Sequence, residues 1–180
     1  MSLCDRPRAG EAPPYFERYL ALVPDGDVLN HLARQGKSTR RLAAGLAEAA
    51  LDRSYAPNKW SVRAVLAHVV DTERVMAYRV LWAARTDGQA LPGFDQDLWA
   101  ASSAGTLPRG PLLAAELGAV RAATLSLAAT LAPAAWTRRV EIAGKSLSAR
   151  ALLYVIAGHE LHHRSVLAER YDLRDPDLAP

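Results

Sequence analysis

The sequence offers a single cysteine, Cys4, so no internal disulfide can form and no set of thiolates exists for a cysteine-based zinc site. Cys4 falls in a Pro/Gly-rich opening, "CDRPRAGEAPP", which is expected to be mobile and is assigned no role. That opening lacks the apolar stretch of a signal peptide. No apolar run approaches membrane-spanning length either, and the expectation is a soluble, cytoplasmic protein that engages no membrane. Charge of one sign is equally scarce: 22 Lys and Arg against 19 Asp and Glu leave a net +3, interspersed rather than gathered into a stripe. Nucleic acid needs such a stripe, so neither DNA nor RNA is expected as a partner. Strand-like alternation is missing too, apart from a short extended piece around Val140–Ile142.

Helical signals fill the space these absences leave. Half of the 180 residues are hydrophobic, with Ala and Leu dominant, which suits one helical domain with a real core. Four long patterns stand out. The first runs from about Asp27 to Ala50, with Leu32, Thr39, Leu42, Leu46 and Ala50 on one face, and ends before the turn-forming "SYAPNKW". The second starts behind Ser61, a good N-cap, and continues to about Arg85. After the Gly- and Pro-containing stretch "TDGQALPGFDQDLWAASSAGTLPRG", Pro111 opens a third, striped by Leu113, Leu117, Val120, Thr124, Leu127 and Leu131. Ser148 caps a fourth that reaches about Tyr171, and a short extra helix fits Tyr15–Leu22. The pattern is that of an all-α four-helix bundle. "SVRAVL" at 61–66 and "SARALL" at 148–153 echo each other, which shared capping preference explains without a repeat.

Chemistry concentrates in "GHELHH", residues 158–163. Leu152, Val155, Ile156 and Val166 form the apolar stripe of the fourth helix, and His159 and His163 lie in that same stripe. Two imidazoles at i and i+4 can converge on one metal ion; they can also be buried core residues hydrogen-bonded to neighbours. Two of them, where Leu or Ile would pack at lower cost, favour the metal. The segment also spells H-E-x-x-H, but a zinc peptidase needs Glu160 as general base and a third ligand downstream. Only Glu169, Asp172, Asp175 and Asp177 follow, at the helix end or in a Pro-containing tail, so proteolysis is not expected. The third ligand should come from another helix. His68 in "LAHVVDTE" is the best donor, because His31 lies in a more polar stretch. His68 sits opposite the Val62/Leu66/Val69 stripe of its helix, on a face that also carries Ala64, Val75 and Trp82. A helix apolar on both sides is buried twice, which predicts a homodimer contact.

Three blocks, "YAPNKWSVRAVLAHVVDTER", "LPGFDQDLW" and "IAGHELHHRSVLAERY", together resemble the DinB/YfiT-like family of metal-dependent enzymes over about residues 15–173. The resemblance implies a four-helix bundle of up-down-down-up topology, flanked here by a flexible segment 1–14 and a tail 174–180, and usually a homodimer. It implies a divalent metal ion held by three histidines, which map to His68, His159 and His163. Zn²⁺ or Ni²⁺ is the first expectation, with Mn²⁺ or Fe²⁺ as further candidates. Relatives include thiol-dependent transferases, so a small-molecule substrate and a low-molecular-weight thiol are the implied partners. The expected activity is a thiol-dependent S-transferase or a hydrolase. The competing reading is a metal-binding dimer without turnover, a sensor or sequestering protein.

Around such a site several residues have candidate roles. Asp71, Glu73 and Glu160 could orient the ligands, though solvated helix charges explain each of them as well. Glu73 lies within the Val62/Leu66/Val69 stripe and calls for a buried partner, for which Arg74 and Arg79 are candidates. His162 flanks the stripe and could face a substrate. Phe94 and Trp99 should pack the "LPGFDQDLW" loop over one end of the bundle, with Asp95 as a polar contact and Trp60 as a core anchor. Arg63, Arg79, Arg150 and Arg164 could each hold a substrate carboxylate.

Overall fold

A computed structural model describes residues 4–174; the expected tail beyond Arg174 lies outside them, with the candidate ligands Asp175 and Asp177, as do residues 1–3. The long helices are α2 (Val28–Gly45), α4 (Val62–Thr86), α6 (Gly110–Ala129) and α7 (Ala149–Tyr171). Short ones are α1 (Pro14–Leu20), α3 (Glu48–Leu51) and α5 (Gln96–Ser103). The caps explain the boundaries. Ser61 Oγ accepts from Ala64 N at 3.2 Å and Ser148 Oγ from Ala151 N at 3.1 Å, so the two echoing hexapeptides are two N-caps of the same kind. Asp27 caps α2 through Leu29 N. The first expected helix is in fact two: α2 stops at Gly45 and α3 begins at Glu48 after a break at Leu46 and Ala47.

The chain makes a four-helix bundle in which α2 lies against α6 and α4 against α7. The C-terminal end of α2 meets the start of α6, where Gly110 lies beside the Ala43 carbonyl. The C-terminal end of α4 meets the start of α7, where Arg138 donates to the Ala84 carbonyl at 2.7 Å and Ala149 N donates to the Arg138 carbonyl at 2.8 Å. The helices therefore run up, down, down and up, and the parallel neighbours α4 and α6 need a long crossover. Residues 87–109, which carry α5, provide it.

Strands, little expected, occur at one end: β1 (Ala90–Leu91) pairs parallel to β2 (Arg139–Ile142), which pairs antiparallel to β3 (Lys145–Ser148). Ala143 (φ 47°) and Gly144 (φ 74°) form the two-residue turn of this hairpin, a geometry that glycine supplies readily. α6 is long and apolar enough by composition to cross a membrane, contrary to the expectation that no segment would be. Its stripe of Leu113, Leu117, Val120 and Thr124 is instead buried in the bundle, together with Arg121.

The N-terminal segment touches the bundle at particular residues. Glu11 accepts from Ser148 Oγ at 2.7 Å and pairs with Arg150, which holds its carboxyl below the usual range although burial pushes the other way. Cys4 is buried in the core, and that burial raises its thiol to about 12, making it an inert packing residue.

The apolar core is in two parts. One gathers the N-terminal half of α7, the C-terminal half of α4, α1 and the hairpin. The other gathers the N-terminal halves of α4 and α6 with Leu167 and Tyr171. Between them, midway along the helices, lies a polar belt containing Thr39, His68, Glu73, Arg121, His159 and Glu160.

Candidate metal centre and pocket

The belt divides at the peptide bond between His159 and Glu160. On one side, His68 from α4 meets His159 and His163 from α7. His159 Nε2 is 3.1 Å from His68 Nε2 and 3.1 Å from His163 Nε2, and the ligand atoms of all three lie within 4.8 Å of one another. These contacts cannot all be hydrogen bonds. A ring nitrogen carries either one proton or one lone pair, so His159 Nε2 can complete one linear bond and leaves the other contact unmade. Protonation does not resolve the conflict, because burial pushes His68 down to about 4, His163 to about 3, and His159 well below its ordinary value. Three neutral imidazoles bring nitrogens together where their lone pairs can serve one shared ion. At a metal–nitrogen distance of about 2.0–2.1 Å, nitrogens at right angles would be about 2.9 Å apart and tetrahedral ones about 3.4 Å. Both separations from His159, at 3.1 Å, fall between, and the third pair lies within 4.8 Å, so the neutral all-nitrogen donor set suits a divalent ion.

The surroundings hold the imidazoles in place. Trp60 lies 5.0 Å from the His68 ring, and the Thr72 hydroxyl is 3.4 Å from His68 Nδ1. Tyr19 of α1 packs edge-on against His159 at 5.6 Å and His162 at 5.7 Å. Gly158 makes this packing feasible: a Cβ there would fall 1.9 Å from the Tyr19 carbonyl oxygen, so any side chain would expel α1. Sequence reasoning missed both residues. A glycine inside a strong helix pattern was the available signal. His163 Nδ1 is buried and has no hydrogen-bond partner among the described residues. His31 is remote from this cluster, with Nε2 on the Asp25 carbonyl at 3.1 Å and Nδ1 on Arg34 at 2.8 Å.

On the other side stands Arg121. It contacts Glu73 through Nε and Nη2, both at 2.8 Å, and Glu160 through Nη2 at 2.7 Å. Thr39 also donates to Glu160, and Arg164 to Thr39. Gly36 makes room for the guanidinium, since a Cβ there would lie 2.6 Å from Arg121 Cγ. Glu160 is thus neither a solvated helix charge nor a free general base, and the buried partner of Glu73 is Arg121 rather than Arg74 or Arg79. The signal was present: Arg121 follows Leu117 by four residues within the α6 stripe.

The histidines form part of a cavity of about 300 Å³ that His68 and His159 both line. Tyr15, Phe16 and Tyr19 of α1 form one wall, Met76 and Arg79 of α4 another, and the hairpin turn with Lys145 a third. Phe94 and Gln96 of the crossover close it. Phe94 and Trp99 pack together as expected, tilted at 43° with ring centres 4.9 Å apart, but Asp95 caps α5 through Asp97 N and Leu98 N. Among the four arginines considered as carboxylate holders, Arg63 pairs with Glu48 and Asp52, Arg150 with Glu11, and Arg164 reaches Thr39. Only Arg79 lines the cavity.

A family model of the DinB superfamily matches residues 31–167. The chain belongs to the DinB superfamily. Its fold is also that of YfiT from Bacillus subtilis, a probable metal-dependent hydrolase with an unusual four-helix bundle topology, at a TM-score of 0.68 and 16% identity, covering 93% of this chain and 90% of that one. A DinB-like protein from Bacillus cereus is similar at a TM-score of 0.61 and 17% identity, covering 84% and 95% respectively. No curated protein matches the sequence.

Glu160 is paired with Arg121, Glu169 accepts from Ser165, and Asp172 is the left-handed cap of α7, so among the described residues downstream of His163 no carboxylate joins the histidines.

Proposed function

We propose that this protein is a metal-dependent enzyme acting on a small molecule, a hydrolase or a thiol-dependent S-transferase, with His68, His159 and His163 as the metal ligands. The observation that carries this reading is three Nε2 donors converging beside an open cavity. A neutral all-imidazole set suits Zn²⁺ or Ni²⁺, with Fe²⁺ as a further candidate and Mn²⁺ less well matched to nitrogen donors. When bound, such an ion supplies Lewis acidity, bringing a water or thiol toward a pKa of about 7 or polarising a carbonyl. The chain's residues do the rest. Trp60 and Tyr19 keep the imidazoles in register, and the crossover and α1 restrict water at the cavity. Glu160 and Arg121 fix the turn of α7 that presents His159.

The test is turnover by the metal-reconstituted protein, offered small esters and amides in one series and electrophiles with low-molecular-weight thiols in another. Chelator-sensitive product in either series supports an enzyme and identifies its class. A saturated metal site with no turnover in both would favour the sensor or sequestering reading, and chelator-sensitive peptide cleavage would reinstate the peptidase.

The homodimer belongs to the same proposal, on narrower grounds than the sequence offered. Part of the second apolar face of α4 is screened within the chain, since Ala64, Ala67 and His68 line a narrow pocket whose other wall is Trp99 and Ala100 of α5. Tyr78 and Leu81, farther along α4, stay exposed and are where a second copy would sit. Light scattering should report about twice 19.5 kDa; a value at 19.5 kDa excludes the dimer.

A further inference from the structure

Arg79 is as deeply buried as Arg121, at 4% against 5% exposed, yet their surroundings differ. Arg121 has two carboxylates, whereas Arg79 has none within ion-pair distance among the described residues. Its bonds go to the Pro92 carbonyl (Nη2, 3.0 Å) and the Met76 sulfur (Nη1, 3.6 Å), and its guanidinium lies 5.5 Å from the Phe94 ring centre. A guanidinium has five N–H donors and stays protonated in proteins, so donors remain to be satisfied. A buried charge without a counter-charge is costly, and folds keep one where a ligand completes it. Arg79 lines the cavity that His68 and His159 also line. Lys145 stands on another wall, with its ammonium 5.1 Å from the Tyr15 ring, and among the described residues no Asp or Glu contributes to the lining. Spacing explains the alignment: His68, Thr72, Met76 and Arg79 recur every three or four residues and share one face of α4.

We infer that the cavity takes an organic oxyanion, a carboxylate or phosphate ester, whose acid group docks on Arg79 while its apolar body lies against Phe16 and Phe94. This deepens the proposed function by naming the substrate class, and it rests on that reading only for what happens at the other end of the ligand. Pro92 fixes the guanidinium plane, and Lys145 adds a second positive charge at the exposed side.

The test uses 3-phenylpropanoate, phenyl phosphate and the neutral 3-phenylpropanamide as probes, with affinities measured by ligand-observed NMR on the full chain, metal-loaded and chelator-treated. An acid should bind roughly tenfold or more tightly than the amide in both preparations, as a charge-assisted bond provides. The stronger of the two acids identifies the headgroup. Arg79→Gln should abolish the preference while metal content is retained, and Arg79→Lys should restore part of it. His159→Ala should lose the metal yet keep the preference, so failure of the metal reading leaves the anion subsite standing. Equal binding of acids and amide by the unmodified protein overturns the inference without recourse to any variant. So does a preference that survives Arg79→Gln but vanishes on chelation, because the metal would then be holding the anion.

Discussion

His159 and Glu160 are neighbours in sequence and occupy the same polar belt, yet they face opposite kinds of surroundings. On the Glu160 side every charge is answered: Arg121 spans two carboxylates, and Thr39 completes the second. On the His159 side three ring nitrogens crowd one point with too few protons between them. Buried polar groups are ordinarily satisfied, so the saturated cluster is architecture and the unsaturated one is where a ligand belongs. H-E-x-x-H is therefore misleading in this chain, since its glutamate serves the first cluster and its histidines the second.

The largest disturbance is expected at Arg121. Arg121→Met should cost about 3–5 kcal/mol of stability by stranding Glu73 and Glu160, read as the midpoint shift in chemical denaturation. Metal bound per folded molecule should persist. Coupled metal loss would show that the two clusters are one. On the other side, alanine at His68, His159 or His163 should weaken metal affinity by more than the roughly 10–100-fold typical of losing an outer-shell partner, with little change in metal-free stability. In the same metal assay His31→Ala should match the unmodified protein, and His162→Ala should lose more activity than metal.

A milder disturbance is Gly158→Ala, which pushes on the α1 backbone at Tyr19 and should cost about 1–3 kcal/mol as an overpacked site. Its metal affinity should change less than its activity, because α1 walls the cavity but supplies no ligand. The gentlest probe is pH. His68 and His163 titrate in the folded, metal-free chain near 4 and 3, because burial disfavours their charged forms; unfolded, they titrate near 6.5. The unfolded chain therefore binds more protons in that interval. Stability from this source is complete above about pH 6.5 and is lost progressively as the pH falls toward 4. Metal should postpone the loss, because it binds the neutral imidazoles of the folded state alone. Metal-free denaturation midpoints that stay level from pH 8 to 5 would contradict neutral, buried histidines.

Much of this was legible in the sequence. Helix period and N-cap serines located α4 and α7 to within a residue or two, because both signals are local. The three histidines announced themselves by occupying aliphatic positions, and they do meet. What escaped was set by contacts distant in sequence. Glu73 called for a partner, and although Arg121 stands in the α6 stripe, only the packing of α6 against α4 decides for it over Arg74 and Arg79. The binding of the opening segment depends on Glu11 reaching Arg150, 139 residues away. Residues 87–109 read as loop because α5 buries no residue of its own and β1 has only two, leaving little periodicity to detect.

The crossover is the least constrained part of this molecule. Parallel helices cannot be joined by a tight turn, so this topology obliges the chain to carry a strap that returns along the bundle. The strap is tied down at β1, yet it contributes Phe94 and Gln96 to the cavity and almost nothing to the core. It therefore behaves as a cassette. A change in its length or composition would reshape the cavity without touching the four helices or the three histidines, so that a necessity of connectivity becomes the adjustable wall of the pocket.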